Sequence, residues 1–112
     1  MESHIEHFGR TDGEPLASIV VLNCNGANWL PKCFGSIQTQ TILSQIETVM
    51  VDNHSTDDSV AVARKLLADL PSACIVRNSE NLGFCEGNNS GARVARGRYI
   101  LFLNNDTWLE AD

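Results

Sequence analysis

The amino-acid sequence predicts an α/β domain built on a parallel sheet of about four strands, and three observations carry that expectation. Four short, apolar, β-branched runs are spread along the 112 residues. Stretches with helical periodicity separate them, the alternation that parallel βαβ units require. Each run also ends in a cluster of Asn, Asp or Gly, residues that turn a chain after a strand.

Residues 1–15 show no clear period and read as a flexible tail or linker, which leaves 16–112 as the domain. Residues 17–23 (ASIVVLN) form the first strand, and their continuous apolar character suits burial on both faces. Asn25-Gly26 breaks it. A helix follows, with Asn28 as its cap and Pro31 in its first turn. Leu30, Cys33, Phe34 and Ile37, spaced at i, i+3, i+4 and i+7, give that helix one apolar face. Residues 46–52 (IETVMVD) are the second strand. Ser55 to Asp58 fits the capping pattern, and Val60, Ala63, Leu67 and Leu70 line the next helix before Pro71 stops it. Residues 73–77 make a third strand, 78–87 a polar loop, and 88–96 a short helix that Gly97 terminates. The fourth strand, 98–103, runs directly into Asn104-Asn105-Asp106.

Composition narrows the function. Eight basic against fourteen acidic residues give a net charge of −6 at pH 7. No nucleic-acid partner is expected, because phosphate attraction to a basic field supplies most non-specific affinity. No apolar run approaches the ~18–20 residues of a membrane span, and the polar N-terminus lacks the apolar core of a secretory signal. The four cysteines, Cys24, Cys33, Cys74 and Cys85, form no C-x-x-C pair, which argues against structural zinc and for reduced thiols in a cytoplasmic protein. Asn-x-Ser/Thr triplets at Asn53, Asn88 and Asn105 are then not glycan acceptors, and the clustering of asparagine needs another cause.

In an open parallel sheet, ligands bind outside the carboxyl ends of the strands. Those ends carry Asn23-Cys24-Asn25, Asp52-Asn53-His54-Ser55, Arg77-Asn78 and Asn104-Asn105-Asp106. Turn chemistry explains part of this polarity, but four such ends on one edge point to a site. Asp52 either contacts the base or ribose of a nucleotide or caps the turn that follows, and Ser55 and Asp57 share that ambiguity. The first turn has a single glycine, so a G-x-G-x-x-G dinucleotide site is not expected, and no phosphate-binding P-loop is present. Asp106 suits a hard cation bridged to phosphates, with capping as the plainer alternative. His54 reads as an exposed turn residue.

Taken together, SIVVLNCNG, VMVDNHSTDDS, NSENLGFCEGNNSGARVARG and RYILFLNNDTWLEAD resemble the nucleotide-binding half of family-2 glycosyltransferases with the GT-A fold, in the rhamnosyltransferase-like branch. The resemblance runs from Ala17 to Asp112. It implies a Rossmann-like three-layer sandwich, ending before the acceptor half, that binds a nucleotide-sugar donor. Asn23 and Asn25 would contact the nucleobase, joined by Asp52, with Ser55 and Asp57 in the following turn. Asn81, Gly83, Phe84, Asn89 and Gly91 would lie near the nucleotide. Asn104-Asn105-Asp106 aligns with the D-x-D motif, so Asp106 would bind Mg²⁺ or Mn²⁺ on the diphosphate, beside Asn105. Asn104 replaces the first carboxylate of that motif, and Cys24 stands where an aromatic is often found.

By the same resemblance, the enzyme would transfer sugar with inversion to a sugar or lipid-linked acceptor, in cell-wall or polysaccharide synthesis, with membrane association of a full-length protein left open. No catalytic base is assignable, Glu110 and Asp112 lying too close to the metal motif, so isolated 1–112 is expected to be inactive. Two other readings stay open: a non-catalytic GT-A-like nucleotide-binding module, and an unrelated flavodoxin-like regulatory domain.

Overall fold

A computed structural model describes residues 3–110. Five strands and three helices follow one another as β1 (Ser3–Gly9), β2 (Ala17–Asn23), α1 (Leu30–Gln38), β3 (Ile46–Asp52), α2 (Ser59–Leu67), β4 (Ser72–Asn78), α3 (Gly83–Val94) and β5 (Tyr99–Asn104), with a 3-10 turn at Leu43–Gln45 before β3. One sheet holds all five strands in the order β1-β4-β3-β2-β5. β2 through β5 run parallel, while β1 lies antiparallel against β4.

The chain builds outward from β2 through β3 to β4, then returns to place β5 on the other side of β2. Strand order therefore reverses between β2 and β5, where open α/β sheets form a crevice. The register aligns the polar ends: Asn23 pairs with Asp52, Asp52 with Arg77, and Leu22 with Asn104. A one-residue slip would turn each apolar set to the opposite face, so burial on both sides pins this alignment.

Helices cover both faces. α1 and α2 pack Leu30, Cys33, Phe34, Ile37, Ala63 and Leu67 onto Ile19, Val21, Met50 and Ile75. The opposite face presents Val20, Val49, Val51, Cys74 and Val76, covered by α3 through Gly87, Ser90 and Gly91. This second layer is thin because α3 lies almost on the sheet. A Cβ at Gly91 would stand 2.5 Å from Val20 Cγ1 and 2.8 Å from Val51 Cγ2. Gly91 is thus a packing residue.

The structure corrects several expectations. The N-terminal segment is no simple tail, since seven of its residues form β1. The strand leaves little hydrophobic signature because it sits at an edge, where backbone pairing to β4 fixes it and only Phe8 reaches the core. The sheet accordingly has five strands and is mixed. α3 begins at Gly83 rather than 88, inside the stretch expected to be a loop. Gly83 adopts φ +83°, and its N–H donates to Asn81 Oδ1 at 2.8 Å, so the turn opens straight into helix. α1 starts at Leu30, with Trp29 rather than Asn28 at its cap and Pro31 in its first turn.

At the amino end of the parallel strands, Glu47 is buried beside Arg96, whose Nε lies 2.8 Å from Glu47 Oε2. Glu47 Oε1 accepts from Ser18 Oγ at 2.7 Å and from Arg96 N at 2.8 Å. The same guanidinium donates to the carbonyls of Asp12 and Gly13 and to Ser72 Oγ. One residue just past α3 thereby ties the stretch after β1 to β2, β3 and β4. A cavity of about 410 Å³ opens here, lined by Arg10, Glu14, Arg96 and Arg98 among others, on the edge opposite the polar strand ends. Arg96→Ala leaves the Glu47 carboxylate buried without its charge partner. It should cost about 3 kcal/mol or more, read as a lower urea midpoint at unchanged slope.

Candidate functional site

At the carboxyl edge, the buried amide of Asn23 joins three strand ends. Its Nδ2 donates to Asp52 Oδ1 at 3.2 Å and to Ser55 Oγ at 3.3 Å. Its Oδ1 accepts from Asn105 Nδ2 at 2.8 Å, across the point of strand-order reversal. The chain can pass there only because residue 26 lacks a side chain: a Cβ on Gly26 would fall 2.2 Å from Asn105 Nδ2 and 2.5 Å from Asn23 Oδ1.

Asp52 is buried as well. Oδ2 accepts from Ser55 N at 2.9 Å, and Oδ1 from Ser55 Oγ at 2.6 Å. Ser55, expected to cap a helix, turns back to Asp52 instead, and Asp58 takes the cap position of α2 without a side-chain cap bond. Asp57 Oδ1 accepts from Ser59 N at 2.9 Å and from Ser59 Oγ, while Oδ2 accepts from Ala27 N at 3.2 Å. Some loss of solvation opposes ionisation of the exposed Asp57, but these donors outweigh it and hold the carboxyl below its ordinary value of 3.8. Asn25 adopts φ 57°, a conformation asparagine tolerates. Its Oδ1 accepts from the N–H groups of Thr56 and Asp57 at 2.7 and 3.1 Å.

Sequence reasoning passed over Asn53, which proves to be a second hub. Its Oδ1 accepts from Asn78 Nδ2 at 3.0 Å and Leu82 N at 3.3 Å, and its Nδ2 donates to Gly83 O at 3.0 Å. This buried amide fixes the start of α3 to the end of β3. The signal was available: an asparagine directly after a buried strand, with another at the end of the next strand.

The remaining residues fall into two groups. Asn81 sits at the edge, its Nδ2 donating to the exposed Cys24 thiol at 3.5 Å. Phe84, in the first turn of α3, is 65% exposed. Asn89 stands apart from the cluster, with its amide on Glu86 Oε1 at 3.3 Å, a carboxylate that also pairs with Arg93. His54 is an exposed turn residue with φ 65°.

Asp106 follows β5 in a turn closed by Thr107, whose N–H and hydroxyl donate to Asn104 O at 3.1 and 2.6 Å. The Asp106 carboxylate is exposed and accepts no hydrogen bond among the described residues. It lies near enough to Cys33 that burial first, and this negative charge second, push the Cys33 thiol up to about 11. No group of three or more His, Cys, Asp and Glu side chains capable of holding a metal occurs among the described residues. The donor set therefore lacks a preformed cage. It fits a hard cation that takes one carboxylate from protein and its other ligands from water and substrate phosphates, the usual Mg²⁺ arrangement.

A polar carboxyl edge at a strand-order reversal describes many α/β folds, and the match of the whole pattern is what decides among them. The family model for glycosyl transferase family 2 matches residues 18–112. The chain belongs to glycosyl transferase family 2. This family-2 chain is 34% identical over 99 residues to the PGL/p-HBAD biosynthesis glycosyltransferase of Mycobacterium bovis, covering 88% of the chain and 38% of that protein. Its structure is similar to S. aureus TarS 1-349 in complex with UDP-GlcNAc, with TM-score 0.80, 23% identity, and 85% of this chain against 28% of that one covered. It is likewise similar to the mannosyltransferase PcManGT from Pyrobaculum calidifontis in complex with GDP-Man and Mn²⁺, with TM-score 0.79, 23% identity, and coverage of 86% and 29%.

At such identities the structural likeness establishes the shared GT-A fold. The chain spans 13% and 38% of the length of two curated relatives. Family membership removes the unrelated flavodoxin-like reading. Among the described residues no helix is long and apolar enough to cross a membrane.

Two outcomes follow from the geometry. Asn23→Ala strands a buried donor on Asn105 and strips one from Asp52, and should cost about 1–3 kcal/mol in urea unfolding. The bonds to ionised Asp57 stabilise the fold fully above its unfolded value of 3.8, and this contribution is lost as pH falls through the lower folded value. The stability gap between the parent and Asp57→Asn should accordingly narrow when unfolding is repeated at progressively lower pH.

Proposed function

We propose that the chain is the donor-binding part of a glycosyltransferase that transfers a sugar from a nucleotide-sugar to an acceptor hydroxyl with inversion, assisted by Mg²⁺ or Mn²⁺. The observation that supports this reading is the exposed carboxylate of Asp106, which accepts no hydrogen bond among the described residues and follows β5 at the strand-order reversal. Solved relatives of the same fold hold UDP-GlcNAc, and GDP-Man with Mn²⁺.

In this reading the nucleotide lies along Asn23, Asn25, Asp52 and Ser55, and reaches Asn81, Gly83, Phe84, Asn89 and Asn105. Asp52 Oδ2 accepts a single hydrogen bond among the described residues, which leaves a lone pair for a base N–H. The exposed ring of Phe84 offers a flat surface in the first turn of α3. The amino ends of α1, α2 and α3 open on this edge, and their dipoles favour the diphosphate. A cation held by Asp106 would offset charge developing on the departing diphosphate. Inversion requires a general base to take the acceptor proton as the hydroxyl attacks the anomeric carbon. We place that base, and the site of the sugar or lipid-linked acceptor, outside residues 1–112. The free thiols of Cys24, Cys33, Cys74 and Cys85 suit a cytoplasmic compartment.

Calorimetric titration with UDP, dTDP and GDP, with and without Mn²⁺, tests the reading. At least one nucleotide should bind, and Mn²⁺ should tighten it roughly tenfold, the scale of one charge-assisted contact. Asp106→Ala should abolish that gain while leaving metal-free affinity intact. A folded chain that binds none of the three nucleotides rejects the proposal. The isolated chain should show no sugar transfer, and any turnover would place the base within it.

A further inference from the structure

The stretch after Asp106 is fastened to α1 at three consecutive residues. Lys32 Nζ lies 3.5 Å from the centroid of the Trp108 ring. Leu109 N donates to Ser36 Oγ at 3.0 Å. Gln40 Nε2 donates to Glu110 O at 2.6 Å. Lys32 and Ser36 are one helical turn apart and share one side of α1, and Gln40 follows just past the helix end. Ser36 and Gln40 are themselves braced, Ser36 Oγ donating to Cys33 O at 2.6 Å and Gln40 Nε2 to Ser36 O at 3.1 Å. On the other side of Asp106, the Asn105 side chain is locked to Asn23 at 2.8 Å. The backbone is thus held immediately before Asp106 and again two residues after it, while the carboxylate between the two anchors accepts no hydrogen bond among the described residues.

We propose that Lys32, Ser36 and Gln40 form a positioning rail that aims the Asp106 carboxylate at the cation on the donor diphosphate. The proposal rests on the metal role given to Asp106 above. A carboxylate on a free loop must be ordered when it binds, and a loop already anchored avoids that loss. None of the rail residues needs to touch the nucleotide. Their removal weakens the metal-dependent part of binding and leaves the base contacts unchanged. Lys32 acts through its charge over the Trp108 face, so another aromatic ring at 108 serves and an aliphatic side chain does not.

The test uses the full 112-residue chain and whichever of UDP, dTDP and GDP the parent binds. Nucleotide affinity is measured with and without Mn²⁺ for the parent, Trp108→Phe, Trp108→Ala and the triple variant Lys32→Ala/Ser36→Ala/Gln40→Ala. The triple variant and Trp108→Ala should lose about three- to tenfold of the Mn²⁺-dependent gain. Their metal-free affinity should match the parent, and Trp108→Phe should keep most of the gain. A ligand-free readout runs beside it: in a Trp29→Phe background, acrylamide should quench Trp108 fluorescence more strongly once the rail is removed. A parent that shows no Mn²⁺ gain overturns the metal role of Asp106 and the rail with it. A parent with the gain and variants that retain it overturn the rail alone. Equal losses with and without Mn²⁺, or unchanged quenching, also overturn it.

Discussion

The side-chain amide of Asn23 is the interaction on which the carboxyl edge depends. It ends the central strand β2, is 1% exposed, and uses both of its polar atoms on neighbouring strand ends. An amide suits this position better than a carboxylate or hydroxyl because it offers donors to Asp52 and Ser55 and an acceptor to Asn105 at once. Gly26 is the steric complement, leaving the space in which Asn105 approaches. Asn53 repeats the device one strand further out, joining β3 to the start of α3. A half-satisfied amide in such a buried network costs more than an apolar residue would, so the asparagines depend on one another.

The opposite edge is held by different physics. At the amino end of the parallel strands the buried Glu47 pairs with the half-buried Arg96, and the remaining donors of Arg96 reach backbone carbonyls in residues 10–13. Removing water from two charges is costly, and the additional hydrogen bonds offset it. The result is a domain with a rigid base and a rigid upper edge. The exposed groups above that edge include Asn25, Asn81, Phe84 and Asp106.

β5 marks where the described core thins out. Tyr99, Ile100, Leu101 and Phe102 are 41% to 62% exposed, although they are the most apolar run after β3. With β2 on one side only, the strand is the second edge of the sheet. Its position is nonetheless secure, because six residues pair with β2 and the segment beyond it lies against α1. That contact links the packing of the first helix to the direction of the Asp106 carboxylate.

Much of the fold was legible in the sequence. The strands at 17–23 and 46–52 were readable to the residue, because a strand buried on both faces is a continuous apolar run. Both central helices were legible from their apolar periodicity. Residues 3–9 were not, since an edge strand held by backbone pairing needs little apolar side-chain surface. The start of α3 was hidden in a Gly- and Asn-rich stretch whose composition is that of a loop.

The polar strand ends could be located from sequence, and so could the family, because the order and spacing of four motifs survive in one dimension. Sequence by itself therefore determined the fold class, the family and the polar residues that end the parallel strands. Only the tertiary structure decided how those residues divide their work. Asn23, Asn53, Asp52 and Asp57 spend most of their polar capacity on the protein, whereas the Asp106 carboxylate accepts no hydrogen bond among the described residues. The side-chain bonds between asparagines span 25 to 82 residues, and no local pattern records which of two identical amides finds one.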